Sequence, residues 1–333
     1  AEIARGRHRR FGGPHAEIEA LNAARAAGAD VRGATMVVTL EPCCHHGKTP
    51  PCTDALIAAG IGRVVVAMED PDSHVAGRGT ARLREAGIET VTGVLETEAR
   101  ELLAPYVKLR KRGRPWVICK WAQTADGFLA LPPREGRWVS GEVARTRVHE
   151  LRGFCDGILV GVGTVLADDP LLTNRGGRGR TPTRVVLDTR LRTPPNSRLV
   201  RTARRTPLVV AAGERPAVSE VGRADALRHA GAEILPLPRA GGRLDLNALL
   251  DELGRRRWTN LLVEGGAETL RSFVAGGLAD ELVVFVSPRT VGAAGRELPH
   301  FDIADLRGKP GWRGIEEGEF GDDRMIRMRK YLD

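Results

Sequence analysis

The sequence predicts an α/β protein of two domains, and three observations carry that reading. At 333 residues the chain is longer than one hydrophobic core usually supports. Short β-branched runs alternate with stretches of helical spacing, the pattern of a mostly parallel sheet covered on both faces. A basic stretch at 108–114, followed by Pro115, interrupts the alternation, which then starts again. That stretch is read as a linker, giving units 1–113 and 114–333.

In the first unit, residues 16–27 carry apolar positions at 18, 21, 24 and 27 and stop at Gly28, which predicts a helix. Residues 35–40 are read as a buried strand ended by Glu41-Pro42, and 53–59 as a helix ended by Gly60. A strand at 63–68, a helix at 81–86 closed by Gly87 and a strand at 89–94 complete the unit. In the second unit, strands are expected at 116–122, 157–160, 184–188, 207–211, 260–264 and 282–287. Helices fit at 142–152 and 267–275, and 312–331 is expected to add an antiparallel edge.

Hydrophobic residues at 42% and charged residues at 28% are ordinary for a soluble globular protein. The longest apolar stretches, such as 157–165, are far shorter than the ~20 residues a membrane span needs. No secretory signal opens the chain, so a cytoplasmic location is expected. The chain begins at Ala1 rather than Met, from which a missing upstream segment is expected.

Net charge is +9, yet only six of the 51 basic residues are lysine. The arginines are scattered and aromatics are 4%, which argues against a surface that stacks single-stranded bases. Small phosphorylated ligands remain compatible with this charge. Three of the five cysteines, Cys43, Cys44 and Cys52, fall within ten residues. Such clustering points to metal binding or catalysis rather than a disulfide framework.

His15-Ala16-Glu17 opens a predicted helix, Cys43 follows Pro42 at a strand end, and Cys52 opens the next helix. One imidazole and two thiolates supply three ligands and leave the fourth tetrahedral position of zinc open for water, a catalytic arrangement. Helix N-termini at His15 and Cys52 aim partial positive charge at the site. Glu17, close to the metal without being needed as a ligand, is the expected proton shuttle. His-x-Glu followed by Pro-Cys and a second Cys is the zinc deaminase pattern, here with a longer loop between the thiolates. Cys44 is not counted as a ligand.

Gly13-Pro14-His15-Ala16-Glu17, the run from Glu41 to Cys52, and Asp70-Pro71 with Val75-Ala76-Gly77-Arg78-Gly79 closely resemble the bifunctional riboflavin-biosynthesis deaminase–reductases. The resemblance covers essentially the whole chain. It implies a cytidine-deaminase-like α/β/α sandwich followed by a dihydrofolate-reductase-like α/β domain. It also implies zinc on His15, Cys43 and Cys52, a proton-transferring Glu17, and His45 and Lys48 facing the substrate. The activities implied are deamination of 2,5-diamino-6-(5-phosphoribosylamino)pyrimidin-4-one, then NADPH reduction of the ribosyl chain to ribityl. The expected partners are that phosphorylated pyrimidine and further copies of the chain, with neither nucleic acid nor membrane.

The second unit carries its own share of the resemblance. Lys120 to Gly127, Trp138-Val139-Ser140, Gly161-Val162-Gly163-Thr164, Asp168-Asp169-Pro170 and Glu264-Gly265-Gly266 match the reductase motifs, with Thr124-Ala125 in place of Ser-Leu. Position matching implies NADPH contacts at Ala122, Trp138, Thr164, Asp168, Thr189 and the segment Gly266, Ala267, Glu268, Thr269, Leu270, Arg271 and Ser272. It implies substrate contacts at Arg152, Leu172, Arg175 and Glu264, the two arginines as phosphate ligands. Gly136 stands where the family has a serine, so one substrate hydroxyl contact is expected to be missing. No 2′-phosphate signature is independent of the resemblance.

The family's leading helix and two strands, with an Asn-Pro motif that holds the pyrimidine, have no counterpart ahead of Ala1. Weak or absent deaminase turnover is therefore expected of the sequence as it stands. A nucleic-acid base deaminase would leave the reductase motifs unexplained, and a non-catalytic zinc module would leave Glu17 idle.

Overall fold

The computed structural model describes residues 1–331 except 10, 11, 73, 74, 178, 216 and 217. The chain divides into two compact units, Ala1–Arg112 and Gly113–Asp333.

The first unit runs α1 (Ala16–Ala26), β1 (Thr35–Leu40), α2 (Cys52–Ala58), β2 (Arg63–Met68), α3 (Arg78–Glu85), β3 (Glu89–Thr92), α4 (Glu96–Leu102) and α5 (Ala104–Arg112). Its three strands pair in parallel in the order β1-β2-β3. Leu21, Val38, Leu56, Val64, Val66 and Leu83 form the core between sheet and helices.

Two expectations are corrected here. β1 is not a buried strand: it has one neighbour, and its two-residue period turns Thr35, Val37 and Thr39 outward, Val37 being 71% exposed. Nor is 108–112 a linker, because those residues are the last turns of α5. Arg110, Lys111 and Arg112 sit where cations complement the negative end of a helix, and Arg110 covers the Tyr106 ring at 5.4 Å.

The second unit opens with β4 (Trp116–Gln123), α6 (Glu142–Phe154), β5 (Gly157–Gly161), α7 (Val162–Asp168), β6 (Thr183–Leu187), α8 (Arg198–Arg201) and β7 (Leu208–Gly213). It continues with α9 (Val218–His229), β8 (Glu233–Leu237), a ribbon of β9 (Arg239–Ala240) and β10 (Arg243–Leu244), α10 (Leu246–Arg255) and β11 (Asn260–Val263). α11 (Ala267–Ala275), β12 (Glu281–Val286), β13 (Trp312–Phe320) and β14 (Asp323–Lys330) end it. The large sheet has the order β13-β14-β12-β4-β11-β5-β6-β7-β8. Strands β12 through β8 in that order are parallel, and β13 and β14 form the expected antiparallel edge.

The chain lays down β5 to β8 outward from β4, then returns to insert β11 between β4 and β5. Such a reversal opens a crevice beyond the carboxyl ends of the strands, the usual ligand position in an open α/β sheet. Alternation along β4 sends Trp121 and Gln123 into the interior and leaves Lys120 and Ala122 half-buried at the crevice wall.

Candidate active sites

In the first unit, His15 caps the N-terminus of α1 and Cys52 opens α2. The His15 Nδ1 lies 3.5 Å from Cys43 Sγ and 3.3 Å from Cys52 Sγ, and all three ligand atoms are within 4.8 Å of one another. Zinc bonds of 2.0–2.1 Å to nitrogen and 2.3 Å to sulfur place tetrahedral N and S donors about 3.6 Å apart, so the three residues fit zinc. Among the described residues no other His, Cys, Asp or Glu group is so arranged.

The electrostatics fit the same purpose. The Cys52 thiol and its backbone N–H both donate to Cys43 Sγ, and with His15 they outweigh burial and push the Cys43 thiol down to about 4. Cys52 is pushed up by the same bond and by burial, and His15 is raised by its bond to Cys43. Glu17, in the first turn of α1, is buried, and that burial pushes its carboxyl up against the pull of its own backbone N–H and of Cys52. Cys44 stays outside the group, its thiol raised by burial and by Glu41.

The thiolate loop is pinned at its start by Glu41. Its buried carboxylate accepts backbone N–H groups from Asp70 at 3.2 Å, Gly77 at 2.8 Å and Thr80 at 2.9 Å. Gly79 is required there, because a Cβ would lie 2.1 Å from the Pro42 carbonyl oxygen. His45 and Lys48 are on the exposed part of the loop. The Lys48 stem passes the turn leading to His15, 3.5 Å from where a Cβ on Gly12 would stand. His8, which the sequence reading missed, sets its ring edge-on to His15 at 5.5 Å and its Nδ1 2.9 Å from the Pro14 carbonyl. An exposed histidine outside any element gives no periodic signal to find it by.

In the second unit a cleft of about 1460 Å³ follows the carboxyl ends of β4, β11, β5 and β6. Ala122, Trp138, Thr164, Asp168, Thr189, Gly266, Ala267, Glu268, Thr269, Arg271 and Ser272 line it, as do Arg152, Leu172, Arg175 and Glu264. Leu270 does not: helical period turns its side chain into the core, where it is fully buried. The turns after β5 and β11 crowd Thr269, since a Cβ on Gly161 would lie 2.7 Å from its Oγ1 and one on Gly265 2.5 Å from its Cβ. Beyond Gly266, α11 begins with no side-chain cap, so its first N–H groups face the cleft, the geometry that suits a phosphate.

Glu264 takes the Arg152 guanidinium in a two-pronged pair, Nε to Oε1 and Nη2 to Oε2, both 2.7 Å, and Arg152 also donates to the Thr173 carbonyl at 3.1 Å. Burial pushes Glu264 up, but Arg152 with Lys120 more than offsets it and the carboxyl is held below its ordinary range. In this structure, then, the fork of Arg152 is taken by Glu264, while Arg175, the other expected phosphate ligand, makes no side-chain bond among the described residues. His149 and Lys120, the latter opening one of the matched motifs, also line the cleft and were given no role from sequence. Burial lowers both, and Arg152 and Arg175 hold His149 lower still. A lone charged residue in a strand that is apolar up to Gln123 was the available signal for Lys120.

A His-Cys-Cys-Glu deaminase centre and an α/β unit with a glycine-turned cleft define an enzyme of two activities, deaminase and reductase. Comparison with known proteins gives the family. Residues 1–68 match the cytidine and deoxycytidylate deaminase zinc-binding region, and residues 115–304 the RibD C-terminal domain. The chain is 38% identical over 336 residues to the riboflavin biosynthesis protein RibD of Aquifex aeolicus, covering 98% of this chain and 88% of that protein. It is 39% identical over 297 residues to RibD of Actinobacillus pleuropneumoniae, covering 89% and 77%.

The crystal structure of a diaminohydroxyphosphoribosylaminopyrimidine deaminase/5-amino-6-(5-phosphoribosylamino)uracil reductase from Thermotoga maritima superposes with a TM-score of 0.82 at 33% identity, covering 99% of this chain and 88% of that one. RibD of Acinetobacter baumannii gives 0.81 at 31% identity, covering 99% and 89%. The chain belongs to the RibD family, bifunctional enzymes of riboflavin biosynthesis with a zinc-dependent deaminase step and an NADPH-dependent reductase step. Among the described residues no helix is long and apolar enough to cross a membrane.

Proposed function

We propose that the first unit deaminates 2,5-diamino-6-(5-phosphoribosylamino)pyrimidin-4-one and that the second reduces the ribosyl chain of the product to ribityl. The observation that carries the first half is the convergence of His15, Cys43 and Cys52 at zinc-donor separations beside a buried Glu17. His15, Cys43 and Cys52 would hold the zinc, which supplies a Lewis acid that activates water at neutral pH. Glu17, its carboxyl raised by burial, accepts the proton of the attacking water and delivers it to the ring nitrogen, then carries the proton of the newly added hydroxyl to the amine, which leaves as ammonia. His45 and Lys48 face the substrate from the exposed loop, Lys48 as a cation for its phosphate.

In the second unit NADPH, when bound, would supply the hydride. Gly266 to Ser272, with the core-facing Leu270 contributing only backbone, would cradle its pyrophosphate, and Ala122, Trp138, Thr164, Asp168 and Thr189 would complete the cofactor wall. Arg175 binds the substrate phosphate, while Glu264, oriented by Arg152, and Leu172 hold the sugar. Self-association and a cytoplasmic location belong to this reading, as does the absence of a nucleic-acid partner.

The test supplies the authentic pyrimidine and follows ammonia release, then supplies the deaminated product and follows loss of reduced-nicotinamide absorbance. Failure of the second assay with NADPH present would overturn the reductase assignment. Zinc-loaded enzyme that releases no more ammonia than its Glu17→Gln variant would overturn the deaminase assignment.

A further inference from the structure

The cleft of the second unit carries unspent cations at two separate places. Arg175 stands near the Arg152–Glu264 pair, whereas Arg190 and Arg192 lie in the turn after β6. None of these three side chains makes a hydrogen bond or ion pair among the described residues. Arg198, which opens α8 in the same wall, is likewise without a side-chain bond among the described residues, whereas Arg152 is committed to Glu264, Arg243 to Glu268, Arg137 to the Asp168 carbonyl, Arg145 to the Ser140 carbonyl and Arg271 to the His300 carbonyl.

The sheet fixes what each cation group can reach. β11, β5 and β6 are adjacent and parallel, with Val263 opposite Leu159 and Gly161 opposite Leu187. Their carboxyl-end turns therefore stand side by side, one strand spacing of about 4.8 Å apart. The two glycine turns suit the pyrophosphate, and the half-buried titratable groups Lys120, His149 and Glu264 mark the reacting end. The adenosine end of a dinucleotide then falls over β6, at Thr189, Arg190 and Arg192.

In the doubly-wound dinucleotide fold, a different α/β architecture, an unphosphorylated ribose is met by a strand-end carboxylate. The strand-end acid here is Asp188, and it is turned away from the cleft. Its side chain is fully buried and its Oδ2 accepts from Thr193 N at 2.6 Å and Thr193 Oγ1 at 2.7 Å. The cleft thus presents guanidinium where such a site would present carboxylate.

We propose that Arg190 and Arg192 bind the 2′-phosphate of the adenosine ribose and so set the preference of this cleft for NADPH over NADH. The proposal rests on the reading that the cleft binds a nicotinamide dinucleotide. Guanidinium suits a phosphate dianion through short, charge-assisted, two-pronged bonds.

Isothermal titration of the full chain with NADP⁺, NAD⁺, 2′-AMP and 5′-AMP tests it without turnover. Wild type is expected to bind NADP⁺ more tightly than NAD⁺ and 2′-AMP more tightly than 5′-AMP. In the Arg190→Ala/Arg192→Ala variant, NADP⁺ affinity should fall about 10- to 100-fold while NAD⁺ changes less than about twofold. Arg190→Ala alone should give part of that loss, and Arg223→Ala, an exposed arginine outside the cleft, none; an unchanged thermal midpoint shows that the variants fold. Equal losses for NADP⁺ and NAD⁺, or an unaltered NADP⁺ affinity, overturns the assignment of the arginines. Wild type that binds neither dinucleotide overturns the cofactor reading on which it rests, a distinguishable result.

Discussion

Arg152 and Glu264, 112 positions apart in the chain, meet through two N–H···O bonds of equal length, 2.7 Å each. Both side chains are nearly buried, so each charge has little water to fall back on. Glu264→Gln strands the guanidinium and is expected to destabilise the fold by about 3 kcal/mol, whereas Arg152→Met/Glu264→Leu loses less than either single change. Denaturant unfolding of the full chain measures both. A loss below about 0.5 kcal/mol for Glu264→Gln would place the pair with weak, solvent-screened surface bridges.

Acid should weaken the second unit in two stages. His149 is held below its ordinary 6.5 by burial, Arg152 and Arg175, so the unfolded chain takes up that proton first and stability falls as pH drops from about 6.5. Glu264 is also depressed, so its contribution is full above the unfolded carboxylate value of about 4.3 and is lost as pH falls through the lower folded value. Thermal midpoints across pH 8 to 3 should show both stages. His149→Gln should remove the upper one alone, and a wild-type midpoint that does not change between pH 7 and 5 would count against it.

Glu17→Gln removes the proton shuttle and leaves His15, Cys43 and Cys52 in place. Deamination should fall by about 10²- to 10⁴-fold with zinc content per chain unchanged by elemental analysis. Reduction of the deaminated substrate should be unaffected. Dialysis against a strong zinc chelator should divide the activities in the same way, and a parallel loss of reductase activity would contradict the assignment of zinc to the first unit.

Gly265→Ala drives a methyl to 2.5 Å from the Thr269 side chain. Overpacking of this kind costs about 1–3 kcal/mol, and here it also shifts the start of α11. A lower thermal midpoint and weaker NADP⁺ binding are expected, both partly restored by adding Thr269→Ser, which removes the crowded methyl. A variant that binds NADP⁺ as tightly as wild type would show that the turn is not part of the cofactor cradle.

How much was legible in the sequence follows from the range of the interactions involved. The zinc donors and Glu17 were readable because each stands at a helix start or strand end whose local signals lie within a few residues. The glycine turns were readable for the same reason, and so was the alternation of strands and helices.

What only the tertiary structure decided depends on partners far away in the chain or on which side an element turns. Nothing local says that Arg152 is consumed by Glu264 while Arg190 and Arg192 stay unpaired. The outward face of β1 follows from its two-residue period, and the continuation of α5 through its basic turns overrode a charge pattern that reads as a linker. Lys120 reached the cleft through the two-residue period of β4, Leu270 left it through the turn of α11, and Asp188 was drawn inward by Thr193. Sequence by itself determined which chemistry the chain carries, because that chemistry needs particular residue types at short spacings. Only folding decided which charges remain free to use it, because a charge is free or spent according to what the fold brings beside it.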